Sequence, residues 1–440
     1  MTAPTAFDPA FDPAFDPTSD DQLADPYPRY AQMRARCPVL HDRDRDIWVL
    51  TRHEDVARVV HDPGTFSSES AVRISGGPES DEVEQVLAEG WSLTPNLTES
   101  DGEEHTRLRV AVNRVFTPRR VAALEPFVRD TAEDLIARFA ADGHTDIIES
   151  YAWPLPLIVM AKILGVPPRD VPLLRRWSSN WLKLSVGTGE PAERVEWARD
   201  VVTMQHYVMG LLDDTDPAGE DSLISSLARY GLEHRLEHVE LMRIVMNLII
   251  AGHVTVTRAI GNGLLTLLEH PRQLEALRTG EASAEAMVEE TLRFESPVQG
   301  LFRTVTRPTE LGGRHLAPGD RVMVHWGSAN RDADVFDDPD AFDLRSRPGR
   351  HQMAFGRGVH ACLGAALARL QLRIAIPLLF DRLPALRPGP AGSRTRERLV
   401  IARGFEELHL HWDAPEPAKG PPMTASVPGP RRADGPPGPA

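Results

Sequence analysis

The chain has 440 residues, a formal net charge of −15 and 41% hydrophobic residues. The acidic balance argues against nucleic acid as a partner, because nucleic-acid binding requires basic patches. Two cysteines are too few for a disulfide framework, no stretch approaches the roughly 20 apolar residues of a membrane span, and the N-terminus lacks the regions of a signal peptide. We therefore expect a cytoplasmic protein with a large core, no membrane segment and no nucleic-acid partner.

The two ends of the chain differ in composition from the middle. Residues 6–17 repeat Ala-Phe-Asp-Pro three times, and a proline in every copy prevents a continuous helix or strand ladder. This predicts a flexible N-terminal extension over residues 1–21. Residues 413–440 are rich in proline, glycine and alanine, which predicts a disordered tail. A single domain is expected over residues 22–412.

The middle of the chain is patterned mainly as helix, with a minor β part. The helical patterns cover residues 104–115, 119–140, 150–164, 194–213, 238–269, 284–294 and 363–382. Short strand-like runs lie at 47–50, 321–325 and 408–412. The predicted fold class is therefore mainly α with minor β.

The first segment with chemical content is Glu104-His105-Thr106-Arg107-Leu108-Arg109. His105 and Arg109 stand at positions i and i+4, so they share one face of the predicted helix. Each taken alone is an ordinary solvent-facing charge. As a pair they present two cationic or hydrogen-bonding groups to the same neighbour.

The run 241–268 is the longest helical pattern, and its middle is apolar nearly all round. This predicts a buried central helix. Gly252 lies inside it, where glycine costs about 1 kcal/mol relative to alanine, so a need for local space is indicated. Thr255 follows one turn later with a hydroxyl that can bond back to the helix or to a ligand. In isolation, glycine with threonine in a helix is a packing accommodation.

Further along, Ser283 is placed to cap a helix that contains Glu290-Thr291-Leu292-Arg293. Glu290 and Arg293 stand at i and i+3 and share a face. Most pairs of this kind are surface ion pairs that contribute little.

The most informative segment precedes the last long helix. Gly356 and Gly358 can adopt positive φ and let the backbone turn close to a large flat ligand. Cys362 follows near the N-terminus of the helix, where the dipole favours thiolate over thiol. A lone cysteine in such a turn would be a small buried residue, but here it stands in a fixed frame, Phe355-Gly356-Arg357-Gly358-Val359-His360-Ala361-Cys362-Leu363-Gly364.

Taken together, these segments resemble the cytochrome P450 family, in its soluble bacterial type, over approximately residues 22–412. The resemblance implies the cytochrome P450 fold, with haem b between the long central helix and the cysteine loop. It makes Cys362 the axial ligand of the haem iron, in a loop with Phe355, Gly356, Gly358 and Gly364. It implies haem-propionate anchors at His105, Arg109, Arg303 and His360, an oxygen-binding groove at Ala251, Gly252 and Thr255, and a structural lock formed by Glu290, Arg293 and Arg345.

The same resemblance implies a haem-thiolate monooxygenase that oxidises a hydrophobic small molecule, with secondary-metabolite tailoring as the context. O2 is the co-substrate, and electrons come ultimately from NAD(P)H through a separate ferredoxin or flavodoxin and its reductase. A monomer is expected. The residues expected to contact substrate are Trp177, Trp181, Ile250, Val254, Val298, Gln299, Leu301 and Phe405.

The chain departs from the family pattern at two positions of the oxygen-binding groove. Val254 stands where the family usually has an acid that helps deliver protons, and Val256 replaces a second threonine. Proton supply must then use Thr255 with water, another side chain or the substrate. Two readings stay open: ordinary hydroxylation with ordered water, or oxidative coupling or ring closure that needs fewer protons. A non-catalytic partner protein with this fold is a third alternative.

Overall fold

The computed structural model describes residues 15–73, 79–114, 116–186, 189–216, 222–346, 351–390 and 392–414. The helices in that part of the chain are α1 (Asp20–Ala24), α2 (Tyr27–Arg36), α3 (His53–His61), α4 (Asp81–Leu87), α5 (Gly102–Asn113), α6 (Pro118–Ala122), α7 (Glu125–Phe139), α8 (Pro154–Leu164), α9 (Val171–Val186), α10 (Pro191–Asp213), α11 (Leu223–His234), α12 (His238–Glu269), α13 (Pro271–Arg278), α14 (Ala284–Phe294), α15 (Trp326–Ala329) and α16 (Ala365–Arg382). The strands are β1 (Val39–Asp42), β2 (Ile47–Leu50), β3 (Phe66–Ser67), β4 (His144–Asp146), β5 (Gly300–Val305), β6 (Thr309–Leu311), β7 (Arg314–Leu316), β8 (Arg321–His325), β9 (Arg387–Pro388), β10 (Arg394–Arg396) and β11 (Phe405–His411).

Helix α12 is the centre of the larger, helical part. A capping box formed by Glu237 and Glu240 begins it, which satisfies two free N–H groups. It packs against α8, α10, α14 and α16, so it is buried on several sides as its apolar pattern predicts. By length and composition alone α12 passes for a membrane span, and 56% of its most apolar window is buried inside the protein.

The smaller part is a five-stranded sheet in the order β1-β2-β8-β5-β3. All neighbours are antiparallel except β2 and β8, which are parallel. Two smaller hydrophobic clusters cover its faces, separate from the large cluster of the helical part. The sheet positions β5, which carries Leu301 and Arg303 toward the central cavity.

Prolines move two of the predicted helix boundaries. The pattern over 119–140 divides into α6 and α7, because Pro126 begins a second helix in its first turn. The pattern over 150–164 begins as a π turn, Ile148–Ala152, and continues as α8 with Pro154 at its start. Helices α12 and α14 have the predicted bounds, and the Ser283 hydroxyl caps α14 by accepting from the Ala286 N–H at 3.1 Å.

The predicted flexible extension over residues 1–21 is too long at its C-terminal end. Phe15 is buried, and its ring lies 6.3 Å from the His325 ring. Asp16 forms a 3.2 Å ion pair with Arg45. The third Ala-Phe-Asp-Pro copy therefore docks on the domain, because its phenylalanine fills an aromatic site. The repeats before residue 15 and the tail from 415 lie outside the described residues.

Candidate functional site

A cavity of about 340 Å³ lies between α12 and the loop that carries Cys362. The surface that lines it is mostly apolar. One wall is the Phe355–Gly364 loop with the start of α16, and the opposite wall is the 247–259 stretch of α12. The cavity therefore lies where the sequence predicts a flat ligand.

Two glycines shape the loop. Gly356 and Gly358 have φ values of 62° and 71°, the left-handed region that favours glycine. A Cβ on Gly358 would lie 2.2 Å from the Val60 carbonyl oxygen of α3, so this position also requires the absence of a side chain. The Cys362 N–H donates to the Phe355 carbonyl at 2.8 Å, which closes the loop.

Cys362 lies deep in the protein, and its side chain is exposed to the cavity. Burial raises the pKa of its thiol, while the Gly364 N–H, Arg109 and Arg369 act in the opposite direction. In the protein alone, the effect of burial on this pKa therefore outweighs that of the Gly364 N–H at the start of α16. A metal ion deprotonates a coordinating thiol outright.

Gly364 caps α16, and a Cβ on it would meet nothing within 4 Å.

Four predicted anchors meet beside this loop. The His105 and His360 rings contact in a tilted arrangement, with 4.1 Å between their centroids, and the Arg109 guanidinium donates to the Ala361 carbonyl. Arg303 is buried and lines the cavity with Arg109 and His360. His105 and Arg109 therefore lie on the same face of α5, as their spacing in the sequence predicts.

His105 and Arg303 are the buried members of this group of anchors. Burial, together with His360 and Arg109, lowers the pKa of His105 to about 4, and burial lowers the pKa of Arg303 to about 10. Nε2 of His105 and Nε2 of His360 have no hydrogen-bond partner. The second atom lies 3.5 Å from Oδ1 of Asp101, at the limit of a hydrogen bond. Buried donors of this kind are normally satisfied, so the arrangement fits carboxylates of a bound ligand.

The α12 wall of the cavity carries the oxygen-binding groove, in which Val254 and Val256 depart from the family pattern. The Thr255 hydroxyl donates to the Ala251 carbonyl at 3.1 Å, which leaves its oxygen free to accept from a ligand in the cavity. A Cβ on Gly252 would lie 2.6 Å from Sδ of Met160, so the local space that the sequence indicates is occupied by α8. Val254 is buried and lines the cavity.

His253 cannot replace the missing acid at position 254. Its ring is fully buried on the other side of α12, between Ser178 at 3.1 Å and the Trp153 ring at 5.1 Å. Burial lowers its pKa to about 4. Nδ1 faces the Ile249 carbonyl of its own helix. The titratable neighbour of Val254 in sequence is therefore committed to packing.

The Glu290–Arg293 pair is buried and bidentate, with N–O distances of 2.8 and 2.7 Å. Arg293 also donates to the carbonyls of Asn330, Pro339 and Ala341. These contacts hold the segment after α15 against α14.

The prediction that Arg345 is the third member of this lock is wrong. Its side chain is 65% exposed and pairs with Asp343 at 3.0 Å. Glu290 instead accepts from the Asp343 N–H at 3.0 Å and from the Ser346 hydroxyl at 2.9 Å. The turn places Ser346 inward and Arg345 outward, which the sequence alone does not show.

The residues expected to contact substrate divide into two groups. Five of them line the cavity: Trp181, Ile250, Val254, Val298 and Leu301. The other three point elsewhere: Trp177, Gln299 and Phe405.

Each of these three residues has a packing role that explains its position. The Trp177 ring packs 5.2 Å from the Tyr207 ring. Gln299 donates to the Ser296 carbonyl at 2.7 Å and accepts from the Tyr30 hydroxyl at 3.3 Å. Phe405 is buried beneath the Arg396 guanidinium, 3.8 Å from the ring centre. For these three residues the expectation of substrate contact is wrong.

Comparison with known proteins identifies the family. A family model described as Cytochrome P450 matches residues 283–386. Cytochrome P450 107B1 from Saccharopolyspora erythraea is 37% identical over 404 residues, which is 88% of this chain and 96% of the relative. The chain belongs to the cytochrome P450 family. Erythromycin C-12 hydroxylase from the same organism is 36% identical and covers 86% of this chain and 90% of its own length. The crystal structure of CalO2 superposes with a TM-score of 0.81 at 30% identity and covers 91% of this chain and 99% of that one.

As a cytochrome P450, the protein is a haem monooxygenase that uses haem b, O2 and electrons from reduced pyridine nucleotide through partner proteins. Its residues fit that cofactor. Among the described residues no cluster of three or more His, Cys, Asp or Glu could hold a metal ion, and Cys362 places a single thiol on the cavity wall. The unpartnered donors beside the loop suit the propionates.

Sequence reasoning missed three polar residues of the cavity wall: Glu99, Trp326 and Gln371. Each has a buried side-chain atom without a hydrogen-bond partner. The Trp326 N–H adds a donor to the cavity wall. No motif marks any of the three, because their orientation depends on tertiary packing.

Proposed function

We propose that this cytochrome P450 inserts oxygen into a hydrophobic small molecule, in secondary-metabolite tailoring. The observation that carries the proposal is the mostly apolar cavity, with Cys362 on one wall and Thr255 on the other. Apolar pockets with few convergent polar groups are typical of sites for hydrophobic ligands. Erythromycin C-12 hydroxylase, by its name, acts on a natural product, which supports this context.

In the proposed site, Cys362 would bind the haem iron through its sulfur. Haem bound through a thiolate supplies O2 activation, since the thiolate donates electron density that favours O–O cleavage. His105, Arg109, Arg303 and His360 would bind the propionates, whose negative charges would offset those of the two guanidinium groups.

On the α12 wall of the cavity, the Thr255 side chain presents an oxygen that can accept a hydrogen bond. Its hydroxyl hydrogen is directed to the Ala251 carbonyl, so the oxygen can accept from a bound group or an ordered water. Gly252 has no side chain and Ala251 has only a methyl group, so α12 is narrow at these two positions. Ile250, Val254, Val298, Leu301 and Trp181 exclude water and hold the substrate's apolar surface.

We also propose that a ferredoxin or flavodoxin with its reductase delivers the electrons, and that the enzyme is a cytoplasmic monomer. Val359 of the cysteine loop is 51% exposed. This loop is the short route from the surface to Cys362, which supports it as the docking side.

The function is tested by screening hydrophobic natural products for the low-to-high-spin shift and supplying the best binder with a redox partner pair under ¹⁸O2. One labelled oxygen atom is expected in the product. Turnover without labelled oxygen in any product would contradict the proposed insertion.

Oxidative coupling or ring closure is a second candidate, favoured by the buried Val254 and by the position of His253 on the far side of α12. As a result, the α12 wall of the cavity has no acidic side chain at position 254. Coupled products retain no oxygen from O2, so the same labelling experiment separates the two candidates.

Restoring an acid tests the role of position 254. We expect Val254→Glu to lower uncoupled peroxide release and to raise product per electron pair by up to about tenfold, which corresponds to ~1.4 kcal/mol. Burial keeps such a carboxyl protonated near neutral pH, so that it can donate. Val254→Gln is the matched control, since it has the same size and no acidic proton. Equal coupling in the two variants and the natural enzyme would show that ordered water suffices.

A further inference from the structure

A phenylalanine, an aspartate and a proline near the start of the chain dock together on the domain. Phe15 and Pro17 are buried, and Asp16 between them is exposed. The Phe15 ring lies edge-on to the His325 ring, with 6.3 Å between their centroids, and it belongs to the hydrophobic cluster that contains Met323. Alternate side chains of this segment therefore point into the domain.

Arg45 contacts the polar groups of the same segment. Its guanidinium donates to the Phe15 carbonyl at 3.2 Å and pairs with the Asp16 carboxylate at 3.2 Å. Asp42, which is not part of the segment, pairs with the same guanidinium at 2.9 Å. The site therefore contacts all three residues of a Phe-Asp-Pro sequence: it buries the phenylalanine and the proline and pairs with the aspartate.

The sequence offers the same three residues twice more. Ala-Phe-Asp-Pro occurs at residues 6–9, 10–13 and 14–17 without a change. A shift of the chain by one or two copies therefore presents identical side chains to the site. The displaced residues would form a loop of four or eight residues, and the free-energy cost of closing a loop rises only slowly with its length.

The residue after the third copy makes that copy the preferred occupant. Thr18 donates from its N–H and from its hydroxyl to Oδ1 of Asp16, at 3.0 and 2.7 Å. Residues 10 and 14 stand at the same distance from the other two aspartates, and both are alanine. Alanine has no hydroxyl to donate, so the upstream copies lack one hydrogen bond of the third.

The docking site lies directly behind one wall of the central cavity. Ile401 and Ala402 line the cavity and also belong to the cluster that contains Phe15. Leu301, which lines the cavity as well, packs against the same cluster. An occupant of the docking site therefore supports this wall from behind, whichever copy supplies the phenylalanine.

We propose that the Phe15 site is a receptor for the Phe-Asp-Pro motif, and that residues 6–13 of the same chain refill it when the third copy leaves. The repeat then supplies two replacement occupants for one site. This inference concerns the packing behind the cavity and does not depend on which substrate the enzyme oxidises.

Urea unfolding of alanine variants of the full-length, haem-loaded enzyme tests the proposal. Loss of a buried phenylalanine without a replacement is expected to lower the urea midpoint by roughly 1 M. We expect this full loss only in the triple variant Phe7→Ala/Phe11→Ala/Phe15→Ala. Phe15→Ala alone is expected to lose less than about half as much, because a shifted copy refills the site at the cost of a short loop.

Phe7→Ala/Phe11→Ala is the matched control, since it removes two identical side chains and leaves the third copy intact. It should keep the midpoint of the natural enzyme. The proposal is overturned if Phe15→Ala falls as far as the triple variant, if the control falls as far, or if the triple variant does not fall.

Fluorine NMR identifies the occupant directly. 4-Fluorophenylalanine at position 15 of the natural chain gives the resonance of the occupied site. The same label at position 11 of Phe7→Ala/Phe15→Ala should give that resonance, and a resonance equal to that of the urea-unfolded chain overturns the proposal. A midpoint of Phe15→Ala that rises with protein concentration would assign the refilling to the repeat of a second molecule and would also overturn it.

Discussion

Replacing Cys362 with alanine is expected to abolish the red-shifted Soret band of the ferrous carbon-monoxide complex and to reduce oxygenation at least a thousandfold. That loss corresponds to about 4 kcal/mol of activation free energy. The physical reason is that Cys362 supplies the only thiol sulfur on the cavity wall of the described chain, and the thiolate is what favours O–O cleavage. Absorption spectroscopy of the reduced, carbon-monoxide-bound protein measures the band directly.

Cys37 provides the matched control for this substitution. It is the other cysteine, buried among the residues that pack on the sheet and remote from the cavity wall. Cys37→Ala should keep the band, with at most a small loss of stability. A thiolate-type band that survives in Cys362→Ala would remove this cysteine as the iron ligand.

Replacing Arg293 with leucine is expected to lower the free energy of unfolding by about 3–5 kcal/mol, because it leaves the Glu290 carboxylate buried without its partner. It also removes three backbone contacts that hold the segment after α15. Since whole domains are stable by only about 5–15 kcal/mol, we expect poor haem retention as well. Urea unfolding and the ratio of Soret to protein absorbance measure the two effects.

Arg345→Ala serves as the control, because it removes the arginine that the sequence pattern selects but the structure leaves in solvent. Its urea midpoint is expected to stay at that of the natural enzyme, because surface substitutions away from packed contacts have little effect on stability. If it destabilises the enzyme as much as Arg293→Leu, the contacts of Glu290 described above are not the ones that matter in solution.

Sequence reasoning succeeds here where a local constraint determines the outcome. Gly356 and Gly358 are informative because positive φ strongly selects glycine. The capping of α14 by Ser283 and the shared face of Glu290 and Arg293 follow from helix geometry over three residues. The bounds of α12 follow from a long apolar pattern that ends in polar residues.

Sequence reasoning fails where tertiary packing chooses between the faces of an element. Gln299 and Phe405 are close in sequence to residues that line the cavity. Gln299, however, bonds to Tyr30, and Phe405 lies under Arg396. Arg345 and Ser346 exchange roles because the turn before them sets which side chain points inward. Glu99 could not be selected, because its unpaired oxygen is apparent only once its neighbours are placed.

The contact between the two ends of the domain bears on how the protein is made in the cell. Arg403 donates to the carbonyls of Leu23 and Ala24 at 2.8 and 3.1 Å and pairs with Glu295 at 2.7 Å. Residues about 380 positions apart in the sequence therefore satisfy one another's hydrogen-bonding groups. During translation Leu23 and Ala24 emerge early, but their contact with Arg403 forms only once Arg403 has left the ribosome. This contact is therefore completed late in synthesis, and Leu23 and Ala24 reach their final environment long after they are made.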